Sequence, residues 1–367
     1  MESVLLSLAG FAVVISIIVF VHEGGHYLIA RACGVRVEIF SIGFGREIFG
    51  WNDRHGTRWR ISMLPLGGYV KMLGDTDPSS HPDLERIAHF SEQEKRESFY
   101  LKPLPQKAAI VAAGPIANFI FAILVITFLL GFIGKAVVLP VVSAVMKESA
   151  AEEAGIQAGD RVIAIDDNEV KSFSDIQRII SINTGEAVNF KIERAEQILS
   201  LQVKPRYLER EDVFGNKIRT PTVGIQAEAS EYTKLPLNQA FTESVRETWN
   251  ISTATLKVIG QIISGKRGTE DLSGPIRIAK YSGQSLALGF TTMLWFMALI
   301  SINLGMMNLL PIPALDGGHL LYYSVEALRG KPMADKVQAW GLRIGMAFII
   351  TLAVFVTIND VIQLGRS

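Results

Sequence analysis

Residues 22–26 read His-Glu-Gly-Gly-His. On an α-helix the two histidines fall at i and i+4, on one face, where both imidazoles can ligate one Zn2+. Glu23 between them is then placed to act as general base toward an attacking water. The motif ends an uncharged, largely apolar run from Val4 to Val21. Ionisable side chains inside a membrane-length segment are costly and seldom incidental. That placement argues against a set of ordinary solvated helix charges.

Two histidines are two ligands, and a catalytic zinc site needs a third plus an open position. The candidate lies in Asn308-Leu309-Leu310-Pro311-Ile312-Pro313-Ala314-Leu315-Asp316-Gly317-Gly318-His319. This stretch follows an uncharged apolar run, so Asp316 is a carboxylate at membrane depth that needs a partner, and a divalent cation would serve. His319, three residues on, is the alternative ligand. Pro311, Pro313, Gly317 and Gly318 are expected to break the helix, which is tolerated at that depth only beside protein or a wet cavity.

The elements that must position these residues are membrane-length helices. Of the 367 residues, 49% are hydrophobic, which puts a membrane class first. Four segments are apolar enough to span a bilayer, at about 4–30, 108–133, 286–310 and 340–358. The first has Glu2 where a signal peptide has basic residues and lacks a small-x-small cleavage site, so it reads as a retained helix. Arg31, Arg36, Lys102 and Lys107 flank the loop after the first segment; Arg329, Lys331 and Lys336 occupy the loop after the third. Both loops are therefore expected to be cytoplasmic, with the N-terminus, 135–285 and the tail outside. Lys+Arg and Asp+Glu balance at 36 each, which gives no support for nucleic-acid binding. The single cysteine, Cys33, excludes an intrachain disulfide and a cysteine-rich zinc site.

Between the first two helices, Val35–Met72 carries strand-like alternation punctuated by Gly43, Gly45 and Gly50. It reads as a small antiparallel hairpin sheet near the membrane, either purely structural or with an edge that can pair an extended peptide. Residues 75–105 read as a solvated loop, with His55, His81 and His89 as surface residues. Residues 208–233 read as polar and partly irregular. Residues 237–264 place apolar side chains at helical spacing and suggest an amphipathic helix along the outer membrane face. In 137–207 short β-rich runs flank a helix at about 173–182. Within it, Ala154-Gly155-Ile156-Gln157-Ala158-Gly159-Asp160-Arg161-Val162 resembles the run that recurs in bacterial PDZ domains. Such a domain can bind peptide by strand addition or act as a purely steric module.

The two metal motifs together, H-E-x-x-H in a first apolar helix and N-x-x-P-x-P-x-L-D-G-G in a later one, resemble the site-2 protease family of intramembrane zinc metalloproteases. Ser41-Ile42-Gly43-Phe44-Gly45, Pro65-Leu66-Gly67-Gly68-Tyr69-Val70-Lys71 and Gly114-Pro115-Ile116-Ala117-Asn118-Phe119 extend the resemblance over essentially the whole chain. It implies Zn2+ as cofactor, His22, His26 and Asp316 as ligands, Glu23 as catalytic base, and Asn308 and Asn118 as substrate-binding groups. It also implies single-pass membrane proteins as substrates, such as anti-sigma factors or signal-peptide remnants, shortened beforehand by an upstream protease. Gly24 departs from the pattern, where a bulky apolar residue is common. Only one PDZ-like run is present, where the best-known bacterial members of that family carry two PDZ domains in tandem.

The expected fold is a polytopic α-helical membrane protein with four transmembrane helices, a membrane-associated β-hairpin sheet and an inserted extracytoplasmic PDZ (α+β) domain. Its expected parts are a first helix with the zinc motif (1–34), a sheet and cytoplasmic loop (35–105), a second helix (106–135), the PDZ domain (136–208), an amphipathic linker (209–285) and the last two helices with the third ligand (286–367). The expected setting is the lipid bilayer of a bacterial inner membrane, with the active site near the cytoplasmic side. Two rival readings stand beside a protease. One is a catalytically inactive membrane scaffold that binds partners through its PDZ domain. The other is a metal transporter, although the remaining helices give it no continuous polar path.

Overall fold

The computed structural model describes residues 2–75, 84–136, 138–183, 185–211, 217–227, 232–268, 272–331 and 333–364. His81 lies outside them. In chain order the first elements are α1 (Glu2–Ala32), β1 (Val37–Asn52), β2 (Arg58–Met72), α2 (Leu84–Ala88), α3 (Glu92–Glu97) and α4 (Leu104–Phe128), which continues as a π turn over Leu129–Ile133. The chain divides into two compact units, 1–126 with 272–363 and 127–271 with 364–367.

Among the described residues, four helices are long and apolar enough to cross a membrane: Val4–Ala32, Leu104–Ile133, Phe290–Leu309 and Lys336–Gln363. The third is shorter than the expected 286–310. The chain turns at Gly289, where φ is +107°, and the residues before it belong to a separate helix.

In the first unit, β1 and β2 form one sheet that folds back on itself. Ile39–Ile42 lie between Arg58–Ile61 on one side and Gly68–Lys71 on the other. Arg58–Ile61 in turn pair antiparallel with Phe49–Asn52. The segment order is therefore 49–52, 58–61, 39–42, 68–71, and the strand Gly68–Lys71 is an edge. A row of stacked rings, Trp51 on Trp59 and Trp59 on Phe40, crosses the sheet and meets Phe20 and Tyr27 of α1. This aromatic packing seats the sheet on the helix that carries the histidines. The loop after the sheet holds two short helices, α2 and α3, and His55 and His89 are exposed as expected.

The second unit contains β3 (Lys135–Ala136), β4 (Ala144–Val145), α5 (Ala150–Glu153), β5 (Arg161–Ile165), β6 (Asn168–Glu169), α6 (Phe173–Ser181), β7 (Val188–Arg194) and β8 (Gln197–Val203). Next come β9 (Arg206–Glu211), β10 (Lys217–Thr222), β11 (Ile225–Gln226), β12 (Tyr232–Thr233) and α7 (Leu237–Ile263). A sheet of order β6-β5-β7-β8 packs with α6, whose Ile176, Ile179 and Ile180 are buried. The A-G-x-x-x-G-D run has a clear local cause. Gly155 and Gly159 take positive φ, and the buried Asp160 accepts from Gln157 N–H and from both Nε and Nη2 of Arg194, at 2.6 and 2.7 Å.

Two expectations change in this unit. The core reaches past residue 208, because Val223 and Ile225 join it and β11 pairs with β4. Part of 208–233, expected to be polar and partly irregular, forms the antiparallel β9–β10 pair. Helix α7 forms as expected and leaves Leu237, Phe241, Val245 and Trp249 exposed in one row at four-residue spacing.

The first unit resumes with α8 (Pro275–Ala287), α9 (Phe290–Leu309), α10 (Asp316–Arg329) and α11 (Asp335–Leu364). Helix α8 lies along α1 at van der Waals distance. A Cβ on Gly10 would meet the Ser282 carbonyl, and one on Gly283 would meet the Ser7 backbone.

Candidate metal centre

Three segments distant in sequence build the centre: the C-terminal third of α1, the first residue of α10 and one face of α4. His22 and His26 are both buried, one helical turn apart on α1. Their Nε2 atoms are 3.4 Å apart. Asp316 Oδ2 is 3.3 Å from His22 Nε2 and 3.6 Å from His26 Nε2. For bonds of roughly 2.0–2.1 Å, adjacent ligands of a tetrahedral zinc lie about 3.3–3.4 Å apart. The donor set, two imidazoles and one carboxylate, therefore fits zinc in chemistry and in spacing, with a fourth position left open. Among the described residues it is the one cluster of three or more such groups, and His319 is not part of it.

Asp316 reaches the cluster because the chain reverses between the two helices. Helix α9 ends at Leu309, the turn 310–315 carries Ala314 at φ +85°, and α10 starts on Asp316. Gly317 and Gly318 do not break a helix, contrary to expectation; they lie in the first turn of α10. Any Cβ there would run into the carbonyls of Leu309, Leu310 and Ile312. The glycine pair is what lets the new helix begin hard against the old one. A carboxylate in the first turn also sits at the favourable end of the helix dipole.

Crossings of small residues set the depth of α1 against α4. A Cβ on Gly25 would strike the Ala113 carbonyl, and one on Gly114 would overlap the His26 imidazole. Gly24, in contrast, has open space beside it. On the third side, α9 meets α4 where Gly305 approaches the Pro115 carbonyl and Asn118.

Glu23 points toward the sheet edge. A Cβ on Gly68 would meet Val19 and Glu23, and the Val70 backbone is close enough to act on the Glu23 carboxylate. The edge strand thus approaches Glu23 as closely as glycine permits. Asn308, in the last turn of α9, brings Nδ2 to 3.4 Å from His22 Nε2. Asn118 is fully buried on α4, with Nδ2 at 3.2 Å from His22 Nδ1.

The motifs point to Asn118 but not to its place behind the His22 ring, and they give no sign of the Ile110 carbonyl behind His26. His26 Nδ1 donates to the Ile110 carbonyl at 2.8 Å. Ile110, Gly114 and Asn118 fall at i, i+4 and i+8, on one face of α4. That spacing was visible around the Gly-Pro-Ile-Ala-Asn run, but nothing local says which face meets the histidines.

The sequence profile of peptidase family M50 matches residues 10–352. The chain is 42% identical over 358 residues to a protein of Agrobacterium fabrum whose name places it provisionally among the zinc metalloproteases; the match covers 96% of this chain and 95% of that one. It is 34% identical over 379 residues to the metalloprotease MmpA of Caulobacter vibrioides, covering 97% of this chain and 95% of that one. Among solved structures, the PDZ domain of an SdrC-like protein from Listeria monocytogenes matches at 24% identity with a TM-score of 0.20, over 24% of this chain and 84% of that one. The profile match and the full-length relatives agree with the chemistry of the cluster: this chain belongs to peptidase family M50 and is a zinc metalloprotease.

Proposed function

We propose that the chain is an intramembrane protease that hydrolyses a peptide bond within the membrane segment of another membrane protein. The observation that carries this reading is the meeting of His22, His26 and Asp316, with Glu23 beside them, on helices long and apolar enough to cross a bilayer. His22, His26 and Asp316 are the residues that would hold zinc. When bound there, zinc supplies Lewis acidity, which makes water a nucleophile near neutral pH and polarises the scissile carbonyl.

The protein's own groups do the rest. Glu23 takes the proton of the attacking water and later returns one to the leaving amine. The Val70 backbone, close to the Glu23 carboxylate, orients it. Asn308 offers an amide beside the reacting carbonyl, where a hydrogen-bond donor stabilises developing negative charge. A substrate helix must unwind for its carbonyl to be reached, and the edge strand 68–71, beside Glu23, would hold the unwound strand by main-chain hydrogen bonds.

The site lies near the cytoplasmic side of a bacterial inner membrane in this reading, and residues 138–226 form an extracytoplasmic PDZ-type module. The exposed apolar row of α7 lies in the membrane interface. Substrates are single-pass proteins, of the anti-sigma-factor or signal-peptide-remnant type, trimmed first by another protease. A scaffold without catalysis is not favoured, since it has no use for a carboxylate at position 23.

The test is cleavage of a single-pass substrate in detergent by wild type and Glu23→Gln, with zinc measured in both. Zinc in both proteins and cleavage by wild type alone is the expected result. Equal cleavage by the two proteins, or no zinc in either, overturns the proposal.

A further inference from the structure

Helix α4 contributes no ligand, yet it meets both imidazoles through Nδ1, the ring nitrogen opposite the one that faces Asp316. For His26 the partner is unambiguous. A carbonyl can only accept, so Ile110 O requires a proton on His26 Nδ1 and leaves Nε2 with its lone pair. For His22 the partner is the Asn118 amide, 3.2 Å from Nδ1. An amide presents a donor at one end and an acceptor at the other, in nearly the same shape. If Nδ2 faces the ring, Nδ1 must accept, the proton sits on Nε2, and His22 cannot ligate through that atom. If Oδ1 faces the ring, Nδ1 carries the proton and Nε2 is free, as in His26.

The geometry points to Asn118 as a positioning residue that holds His22 in the Nδ1-protonated tautomer by presenting Oδ1 to the ring. It does for the first histidine what the Ile110 carbonyl does for the second. This rests on the zinc reading of the cluster. Three further observations support it. Asn118 is fully buried, so the groups its amide can meet in this structure are the protein's own. Its Oδ1, oriented away from the ring, has no hydrogen-bond partner, so that orientation leaves a buried acceptor unpaired. Its backbone is fixed in turn, because Ser301 Oγ of α9 donates to the Asn118 carbonyl at 2.9 Å. Partners behind a metal-bound histidine typically govern about 10–100-fold in metal affinity.

The experiment uses the full chain in detergent and reads metal binding rather than turnover. Zinc affinity is measured by competition with a chelator, and the Co2+-substituted protein gives a ligand-field spectrum. Asn118→Ala is expected to lose about 10–100-fold in zinc affinity and to shift the cobalt spectrum. Asn118→Asp, which keeps an acceptor at the same place, is expected to remain close to wild type. Asn118→Ser serves in place of alanine should that variant not fold. Wild-type affinity and spectrum in the alanine or serine variant overturn the proposal. An equal loss in Asn118→Asp also overturns it, because packing rather than the acceptor would then be at work. Failure of the zinc reading looks different: wild type itself would bind no stoichiometric zinc, or His22→Ala would bind as well as wild type.

Discussion

Gly114 and His26 share one volume: the imidazole occupies the space that a side chain on residue 114 would fill. The ring is thereby held against α4, with Nδ1 on the Ile110 carbonyl and Nε2 toward Asp316. Gly114→Ala must push the ring off this seat. The expected result is a loss of zinc affinity of at least the order of 10-fold, the size of effect seen when a histidine's supporting contact is removed, together with loss of cleavage. Zinc affinity unchanged in Gly114→Ala would show that the helices can separate to admit the methyl group.

Neighbouring glycines in the motif are predicted to behave oppositely. Gly25 is locked against the Ala113 backbone, and Gly24 faces open space. Gly25→Ala should therefore force α1 away from α4 and lower both the thermal midpoint and zinc content. Gly24→Ala should raise stability by up to about 1 kcal/mol, the helix-propensity difference, with zinc content unchanged. Measuring both midpoints side by side separates close packing from propensity; equal effects at the two positions would refute the assignment.

The contrast shows how far sequence alone reaches. The pair His22 and His26, with Glu23 between, is legible because the spacing that makes a ligand pair is local to one helical turn. Asp316 is legible because a carboxylate after an apolar run needs a partner. The role of Asn118 is not, because it depends on which face of α4 meets α1 across 96 residues of sequence. The sheet is similar. Its strands show in the alternation of apolar residues, whereas the fold-back that makes Gly68–Lys71 an edge is a pairing between distant segments that the alternation does not specify. The expected end of the PDZ domain at 208 falls where the chain turns polar, but two apolar residues further on, Val223 and Ile225, join its core.

A pH dependence follows from Asp75, at the end of the sheet. It is buried and accepts from the Met72 N–H at 2.7 Å and the Tyr100 hydroxyl at 2.8 Å. Burial raises its pKa to about 6, against the opposing pull of those two hydrogen bonds. A carboxyl that binds its proton more tightly folded than unfolded stabilises the fold when protonated. Its contribution is full below the unfolded value of about 3.9 and is lost as pH rises from there to about 6. Asp75→Asn, always neutral, should remove this slope and be the more stable protein above pH 6. Thermal midpoints of both proteins across this window, in one buffer series, check it; parallel curves would refute it.

The last helix is tied to the helix behind α1 by a buried carboxylate. Asp360 of α11 is fully buried, and its two oxygens accept from the N–H groups of Gly274 and Arg277, at 2.9 and 3.0 Å. Those are the N-cap and third residues of α8, which has no capping side chain of its own. Asp360 thus caps α8 from another helix, and Gly274 is the residue whose missing side chain lets it in. Asn359 adds a bond to the Leu272 carbonyl at 3.1 Å. Because α8 packs tightly along α1, loosening its start should be felt by the helix that holds His22 and His26. Asp360→Ala is predicted to cost about 2 kcal/mol, in the range for losing a charged cap, and to make the 272–277 backbone exchange hydrogen faster. Asp360→Asn, which can still accept at one of the two sites, should fall between. Hydrogen exchange unchanged at 274 and 277 in the alanine variant would show that α8 holds its own N-terminus without α11.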